Sequence, residues 1–148
     1  MWHIHQDDDM DTGKYAMLAV LTLGVGVLAG CSSAGTDDVF AEDQVDSDAL
    51  PSVDSELLEP LDPESARYLG EAEGTRYWAV RNAAEEFCLL GQVVGDPEDM
   101  VTGCGPGDGG TLAVSLGAGP TATWSAVASP PVPEGGTLLR DHLVVTPR

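Results

Sequence analysis

The stretch ARYLGEAEGTRYWAVRNAAEEFCLLGQVV, residues 66–94, decides the fold, because short runs rich in β-branched and aromatic residues alternate there with turn signals. Ala66–Gly70 and Thr75–Arg81 flank Glu73-Gly74, and this arrangement predicts a β-hairpin. Glu86–Val94 follows as a strongly apolar strand, which ends at a turn containing glycine and proline. The stretch therefore predicts consecutive antiparallel strands.

The rest of the C-terminal region shows the same alternation of short strand-like runs and turn signals. Met100–Cys104 is expected to pair back onto the preceding strand. Further strands are predicted at Thr111–Leu116, Thr121–Ala128 and Leu138–Thr146. Residues 65–148 are thus expected to form a mainly β domain, a small antiparallel sheet or partly closed barrel of about six to seven short strands. Asp62-Pro63-Glu64 is an alternative start for one short helix.

Charge is distributed unevenly along the 148 residues, which carry 25 acidic and 6 basic side chains, a formal net charge of −19. Nucleic-acid binding needs clustered Lys and Arg, so this composition disfavours it. Residues 31–64 hold eleven acids and neither Lys nor Arg, whereas residues 65–148 hold ten acids and five Arg. We therefore divide the chain into a leader over residues 1–30, an acidic tether over 31–64 with the composition of disorder, and a domain over 65–148.

The leader contains an apolar run of 15 residues, Tyr15–Ala29, directly after Lys14. As a helix this run would be about 22 Å long, which is short of the roughly 30 Å core of a bilayer. Its length and the preceding positive charge are typical of a signal peptide. Residues 1–13 are unusually acidic for the start of such a peptide, and Met10 opens a more regular signal, so we expect translation to begin at Met10.

The apolar run ends in Leu28-Ala29-Gly30-Cys31, which resembles the lipobox of bacterial prolipoproteins. This resemblance implies that diacylglycerol is attached to the Cys31 sulfur and that cleavage makes Cys31 the first residue of the mature protein. Because two acyl chains hold a protein stably where one does not, the expected location is the outer face of the cell membrane. An ordinary secretory signal peptide and an uncleaved membrane helix are the alternatives.

Three cysteines in an exported protein leave one without an intramolecular partner. If Cys31 carries lipid, Cys88 and Cys104 remain to form a disulfide in an oxidising compartment. The loop that they would close has about 15 residues, which stabilises a fold by roughly 3 kcal/mol in the chain-entropy description. A metal or redox site is the alternative, although the spacing lacks the Cys-x-x-Cys pattern.

Four short motifs of the domain are similar to segments of small actinobacterial cell-surface lipoproteins that have no assigned activity. These motifs are Arg67-Tyr68-Leu69-Gly70, Tyr77-Trp78-Ala79, Phe87-Cys88-Leu89 and Gly103-Cys104-Gly105. The resemblance implies a surface location and a β-domain with a pair of cysteines, and it implies no chemistry. The scarcity of Lys, Ile and Asn agrees with a high-GC genome of that kind, and a halophilic archaeal source would equally explain the acidity.

No catalytic constellation stands out in the sequence. His142 is the one histidine of the expected mature chain, and the alternating strand around it predicts a surface or edge position. Because the chain has no Gly-x-Ser-x-Gly nucleophile motif, we predict neither catalysis nor a cofactor. Asp96, Glu98 and Asp99 lack the spacing of an EF-hand loop, so we expect a solvated turn there and no metal site.

Adjacent strand residues face opposite sides of a sheet, so Tyr77 and Trp78 cannot both enter the same face. Trp78, Val80 and Trp124 suit the core. Tyr77 and Arg81 then lie outward as candidate contacts for a partner, although core or second-layer packing of Tyr77 is favoured.

We expect a membrane-anchored, non-enzymatic binding or interaction module of the cell envelope, with an unidentified envelope protein or ligand as partner. An exported enzyme, or an accessory subunit of an envelope complex or transporter, is the alternative.

Overall fold

The structure, a computed structural model, describes residues 39–106, 110–125 and 130–148. The predicted mainly β fold is confirmed, and the described strands form two four-stranded antiparallel sheets rather than one closed barrel. The strands are β1 (Leu61–Ala72), β2 (Thr75–Asn82), β3 (Phe87–Val93), β4 (Met100–Gly105), β5 (Thr111–Ser115), β6 (Thr121–Ser125), β7 (Thr137–Leu139) and β8 (Leu143–Thr146). The expected leader, the lipobox and Cys31 lie outside the described residues.

The first sheet contains β1 to β4 in sequence order, so each strand pairs with the next one along the chain. The predicted hairpin is confirmed, because Ala72 pairs with Thr75 across a two-residue turn. Both turn residues have positive φ, 53° at Glu73 and 69° at Gly74, as a type I′ hairpin turn requires. The predicted return of β4 onto β3 is also confirmed. Asp62-Pro63-Glu64 lies within β1, so the alternative of a helix there is wrong.

The second sheet has the order β5-β6-β8-β7. A single strand over Leu138–Thr146 was the wrong prediction, because the chain reverses within it and Leu139 pairs with Leu143. Arg140 makes the reversal with a φ of 50°. Positive φ is unusual for a residue with a side chain, and this turn contains no glycine, proline or asparagine that would have predicted it.

The two sheets share one hydrophobic core. It combines Tyr77 and Leu89 of the first sheet with Trp124, Leu143 and other residues of the second. We call the side of the first sheet that faces this core its inner face, and the opposite side its outer face. Where β4 meets β5, a Cβ atom on Gly103 would lie 2.8 Å from Val114 Cγ1, so glycine is needed for the close approach of the two strands.

Residues 39–60, which we call the strap, begin at the inner core, where Val39 is part of the cluster and Phe40 packs against it, and then continue over the outer face of the first sheet. Leu50 and Leu58 of the strap pack against a buried outer cluster composed of Leu61, Ala66, Val80 and Cys88. The composition of residues 31–64 predicted a disordered tether, but the structure packs residues 39–60 on the sheet and begins β1 at Leu61. Apolar residues that follow no helical or strand periodicity can still be buried individually, because each one loses contact with water where it packs on the sheet.

Candidate functional site

Tyr77 does not lie on a surface that a partner could reach. Its side chain is 1% exposed and belongs to the core between the sheets. The alternation of β2 is as predicted, but both of its faces are covered, one by the second sheet and one by the strap. Gly91 lies opposite Tyr77 in the register, and a Cβ atom there would come within 3.2 Å of Tyr77 Cε1. The prediction of Tyr77 as a contact residue is therefore wrong, and its favoured core packing is confirmed.

Arg81 is engaged within the fold. Its guanidinium lies over the Phe40 ring, with the Cζ atom 4.5 Å from the ring centroid, and it donates a hydrogen bond to the Glu85 carbonyl. Phe40 in turn contacts the Phe87 ring at 6.3 Å between centroids. Arg81 thus fastens the start of the strap to the end of β2, and it does not form a joint surface with Tyr77.

His142 lies in the core rather than at the predicted surface or edge. Its side chain is 5% exposed and stacks on Trp124 with ring centroids 5.1 Å apart. Nδ1 lies 3.0 Å from the Ser125 carbonyl oxygen, and it must be the donor because a carbonyl only accepts. In a catalytic triad a carboxylate accepts that hydrogen bond. The buried position follows from the turn at Arg140, which carries the chain back over Trp124.

Cys88 and Cys104 form the predicted disulfide, with an S–S distance of 2.01 Å. They are paired residues of β3 and β4, and the Cys88 side chain belongs to the outer cluster. The bond therefore fixes the outermost hairpin of the first sheet. Within the described ranges no three His, Cys, Asp or Glu side chains come together as a metal site would require.

A cleft of about 360 Å³ opens between the strap and the outer face, and we call it the outer cleft. Its floor is the aromatic pair of Tyr68 and Trp78, whose ring centroids are 5.4 Å apart. The residues that line it are Ser47, Ala49 and Pro51 from the strap, and Tyr68, Glu71, Arg76, Trp78 and Gln92 from the sheet. Its volume falls within the range of roughly 300–1,000 Å³ that is usual for small-ligand sites.

Polar groups of opposite kinds converge on the outer cleft. Arg76 Nε lies 3.3 Å from Glu71 Oε2, and both side chains are about half exposed. Gln92 donates its Nε2 to the Pro97 carbonyl at 3.0 Å, so its Oε1 remains as an acceptor. Trp78 is 5% exposed, and its Nε1 is itself buried, so the indole lines the cleft without offering this donor to it.

Tyr68 contributes a phenol that stays protonated at neutral pH. Burial raises its pKa above the ordinary value, the Glu71 carboxylate raises it further, and the Arg76 guanidinium opposes both. A protonated phenol can donate one hydrogen bond and accept others. The cleft therefore offers donors and acceptors side by side, with its two charges paired to each other.

The strap forms an ordered wall of this cleft because polar groups hold it to β1. Asp48 is 4% exposed; its Oδ1 accepts from the Tyr68 backbone N–H at 2.8 Å and its Oδ2 accepts from the Val45 N–H at 2.9 Å. Arg67 donates to the Glu42 carbonyl, and Gln44 donates to two carbonyls of β1. These bonds occupy the free edge of β1 with side chains rather than with another strand.

A second cavity lies on the other side of the same stretch of strap. It measures about 450 Å³ and has a mainly apolar lining that includes Leu50, Leu58 and Leu61. Ala49 and Pro51 line both cavities, so this short piece of strap separates a polar cleft from an apolar one. The polar cleft is the better candidate for specific recognition, since a few placed polar groups fix the orientation of a ligand.

Comparison with known proteins finds no matching family model, no matching curated protein and no matching solved structure. Within the described part of the chain, no helix has both the length and the apolar character needed to cross a membrane.

Proposed function

We propose that this protein is a lipoprotein held on the outer face of a cell membrane by diacylglycerol on Cys31, and that its β-domain is a non-enzymatic binding module. The ligand of that module occupies the outer cleft. The lipid attachment is inferred from the sequence Leu28-Ala29-Gly30-Cys31 and the export of the domain from its disulfide, and the binding role is inferred from the polar groups that line the outer cleft.

The observation that carries the location is the Cys88–Cys104 disulfide. Structural disulfides persist in oxidising compartments and are rare in the cytosol, so the bond favours an exported domain. Because Cys88 and Cys104 are bonded to each other, Cys31 is the remaining cysteine of the sequence. Cys31 is the residue that the lipobox resemblance marks for lipid attachment, and a lipidated sulfur needs no second cysteine.

The observation that favours binding over catalysis is the character of the outer cleft. Its lining supplies hydrogen-bond donors and acceptors around an aromatic floor, and its two charged side chains are paired to each other. Recognition requires such groups, whereas acid–base or nucleophilic catalysis requires a titratable group matched to the reaction. His142, the histidine of the domain, lines a different and smaller cavity.

Replacement of the lipid attachment site tests the location. Cys31→Ala is expected to move the protein from the membrane fraction to the medium or to leave the precursor uncleaved. Ser33→Ala is the matched control, because it alters the same segment without removing the sulfur, and it should stay in the membrane. Mass spectrometry of the wild-type protein should show diacylglycerol on Cys31 at the new N-terminus. Membrane retention and normal processing of Cys31→Ala would overturn the proposal.

A further inference from the structure

We propose that the packed strap keeps the domain close to the membrane, with the Phe87 end of β3 nearest the lipid surface and the outer cleft farther from it. This inference rests on the proposed lipid anchor at Cys31. It names the lipid surface as the neighbour of one particular end of the domain.

The link between the anchor and the fold is much shorter than a disordered tether over residues 31–64 would be. Such a tether could span about 115 Å when fully extended. The structure packs residues 39–60 on the domain, so eight residue steps separate Cys31 from Val39, the first residue of the strap. Eight residues span at most about 28 Å, and this limit holds for every conformation that they can adopt.

The first residues of the strap are buried at one end of the inner core. Val39 is 9% exposed and belongs to the core cluster. The Phe40 ring packs against the same cluster, contacts the Phe87 ring and lies under the Arg81 guanidinium. Burial of these two apolar side chains fixes the point at which the link enters the domain.

Two further arginines hold the next part of the strap. Arg67 donates from Nη2 to the Glu42 carbonyl at 2.7 Å, and from Nε to the same oxygen at 3.0 Å. Arg140 Nη1 lies 3.4 Å from the Glu42 carboxylate. Together with Arg81 on Phe40, these contacts bring side chains of β1, β2 and the turn before β8 to the start of the strap. They keep the strap from adding its own length to the link.

The strap enters the fold at one end of β3, and the outer cleft lies toward the other end. Phe87 is the first residue of β3 and contacts Phe40. Gln92 lines the cleft and donates to the Pro97 carbonyl in the turn after β3. At about 3.3 Å per residue, Phe87 and Gln92 lie about 17 Å apart along the strand. The short link therefore keeps the Phe87 end nearest the lipid, and a ligand reaches the cleft from the aqueous side.

Two exposed turns mark the ends of β3 for a distance measurement. Ala84 lies in the turn before β3, and Glu98 lies in the turn after it. Ala84→Cys and Glu98→Cys each provide one thiol for a donor dye, and labelling without a reductant preserves the Cys88–Cys104 bond. The lipidated mature protein would be added to preformed phosphatidylcholine vesicles that contain a small fraction of lipid with an acceptor dye on its headgroup. Energy transfer to the acceptor is then measured for each variant.

We expect energy transfer from the Ala84 position to exceed that from the Glu98 position about twofold, because the ends of β3 lie about 20 Å apart. A Gly/Ser insertion of about 20 residues between Ser33 and Ala34 adds roughly 25 Å of reach, so it should lower transfer from the Ala84 position about twofold. The same insertion after Arg148 is the matched control, and it should leave both values unchanged.

Equal transfer from the two positions, or greater transfer from the Glu98 position, would overturn this inference. Transfer that is unchanged by the insertion after Ser33 would also overturn it, because the domain would then be held by its own contact with lipid and not by the short link. Any of these results on protein whose mass shows diacylglycerol on Cys31 would leave the lipoprotein assignment standing. A mature protein without lipid on Cys31 would overturn both.

Discussion

The two faces of the first sheet are covered in different ways. On the inner face, side chains of two regular sheets interlock, and Phe87 lies against Trp124 with ring centroids 4.7 Å apart. On the outer face the cover is the irregular strap, held by hydrogen bonds from Asp48 and Gln44 to the backbone of β1. A sheet-on-sheet core can be closely packed along its whole length. An irregular segment buries only the part of the sheet face that its own side chains contact, so clefts remain beside it.

The largest difference in stability between variants of the two faces is expected when a leucine of the inner core is truncated. Leu89 is fully buried on the inner face, and Leu89→Ala should lower the free energy of unfolding by about 2–5 kcal/mol through the lost contacts and the cavity left behind. Leu58→Ala, on the half-buried outer side, should cost about 1 kcal/mol. Urea unfolding measures both. Equal costs for the two variants would show that the strap packs as closely as the second sheet.

The next effect concerns the attachment of the strap itself. Asp48→Ala removes the acceptor that holds the strap to Tyr68 and the acceptor that bonds Val45 within the strap, and it leaves the Tyr68 backbone N–H without that partner, which should cost about 1–3 kcal/mol. Cleavage by a protease within residues 39–60 should become faster, while the inner core stays protected. Asp46→Ala is the matched control, because Asp46 lies in the same 3-10 helix, Asp46–Asp48, with its side chain exposed, and it should stay within about 0.5 kcal/mol of the wild type. Equal proteolysis of the two variants would contradict the role of Asp48.

The sequence predicts the pairing of neighbouring strands better than it predicts what covers the two faces of the sheet, for a physical reason. Hairpins are local, so the Glu73-Gly74 turn sets the register that pairs Glu71 with Arg76 across the mouth of the cleft. The Cys88–Cys104 bond follows from counting cysteines. Alternation along β2 also separates Tyr77 from Trp78, but it cannot say what covers either face.

Features that depend on contacts between residues far apart in the sequence could not be predicted from it. The strap is acidic and without a period, and its order depends on single contacts such as the one from Asp48 to a strand 20 residues away. The turn at Arg140 contains only Asp141 as a turn-favouring residue, a weak signal within an apolar run, and this turn puts His142 in the core. The outer cleft needs the strap as its wall. Its floor pairs Tyr68 with Trp78 because the register of β1 shifts between Tyr68 and Gly70, and a uniform hairpin register does not predict that shift.

The smallest effect compares the two tyrosines, one on each face, at alkaline pH. Burial raises the pKa of Tyr77, Glu73 raises it further, and the Thr75 side chain partly opposes them. An unfolded chain loses its phenolic protons near pH 10, whereas the native chain keeps them to higher pH, so the native state holds more protons there. The free energy of unfolding should therefore be unaffected below about pH 10 and fall as the pH rises above it.

Because Tyr77 is almost fully buried and Tyr68 is only half-buried, Tyr77→Phe should remove more of this alkaline loss than Tyr68→Phe does. At neutral pH Tyr77→Phe should change stability by less than about 1.5 kcal/mol, since the ring keeps its shape. Urea unfolding between pH 8 and pH 11 checks this, together with absorbance titration of the phenols. If Tyr68→Phe flattened the profile more, desolvation would be stronger under the strap than between the sheets, and the contrast between the faces would be reversed.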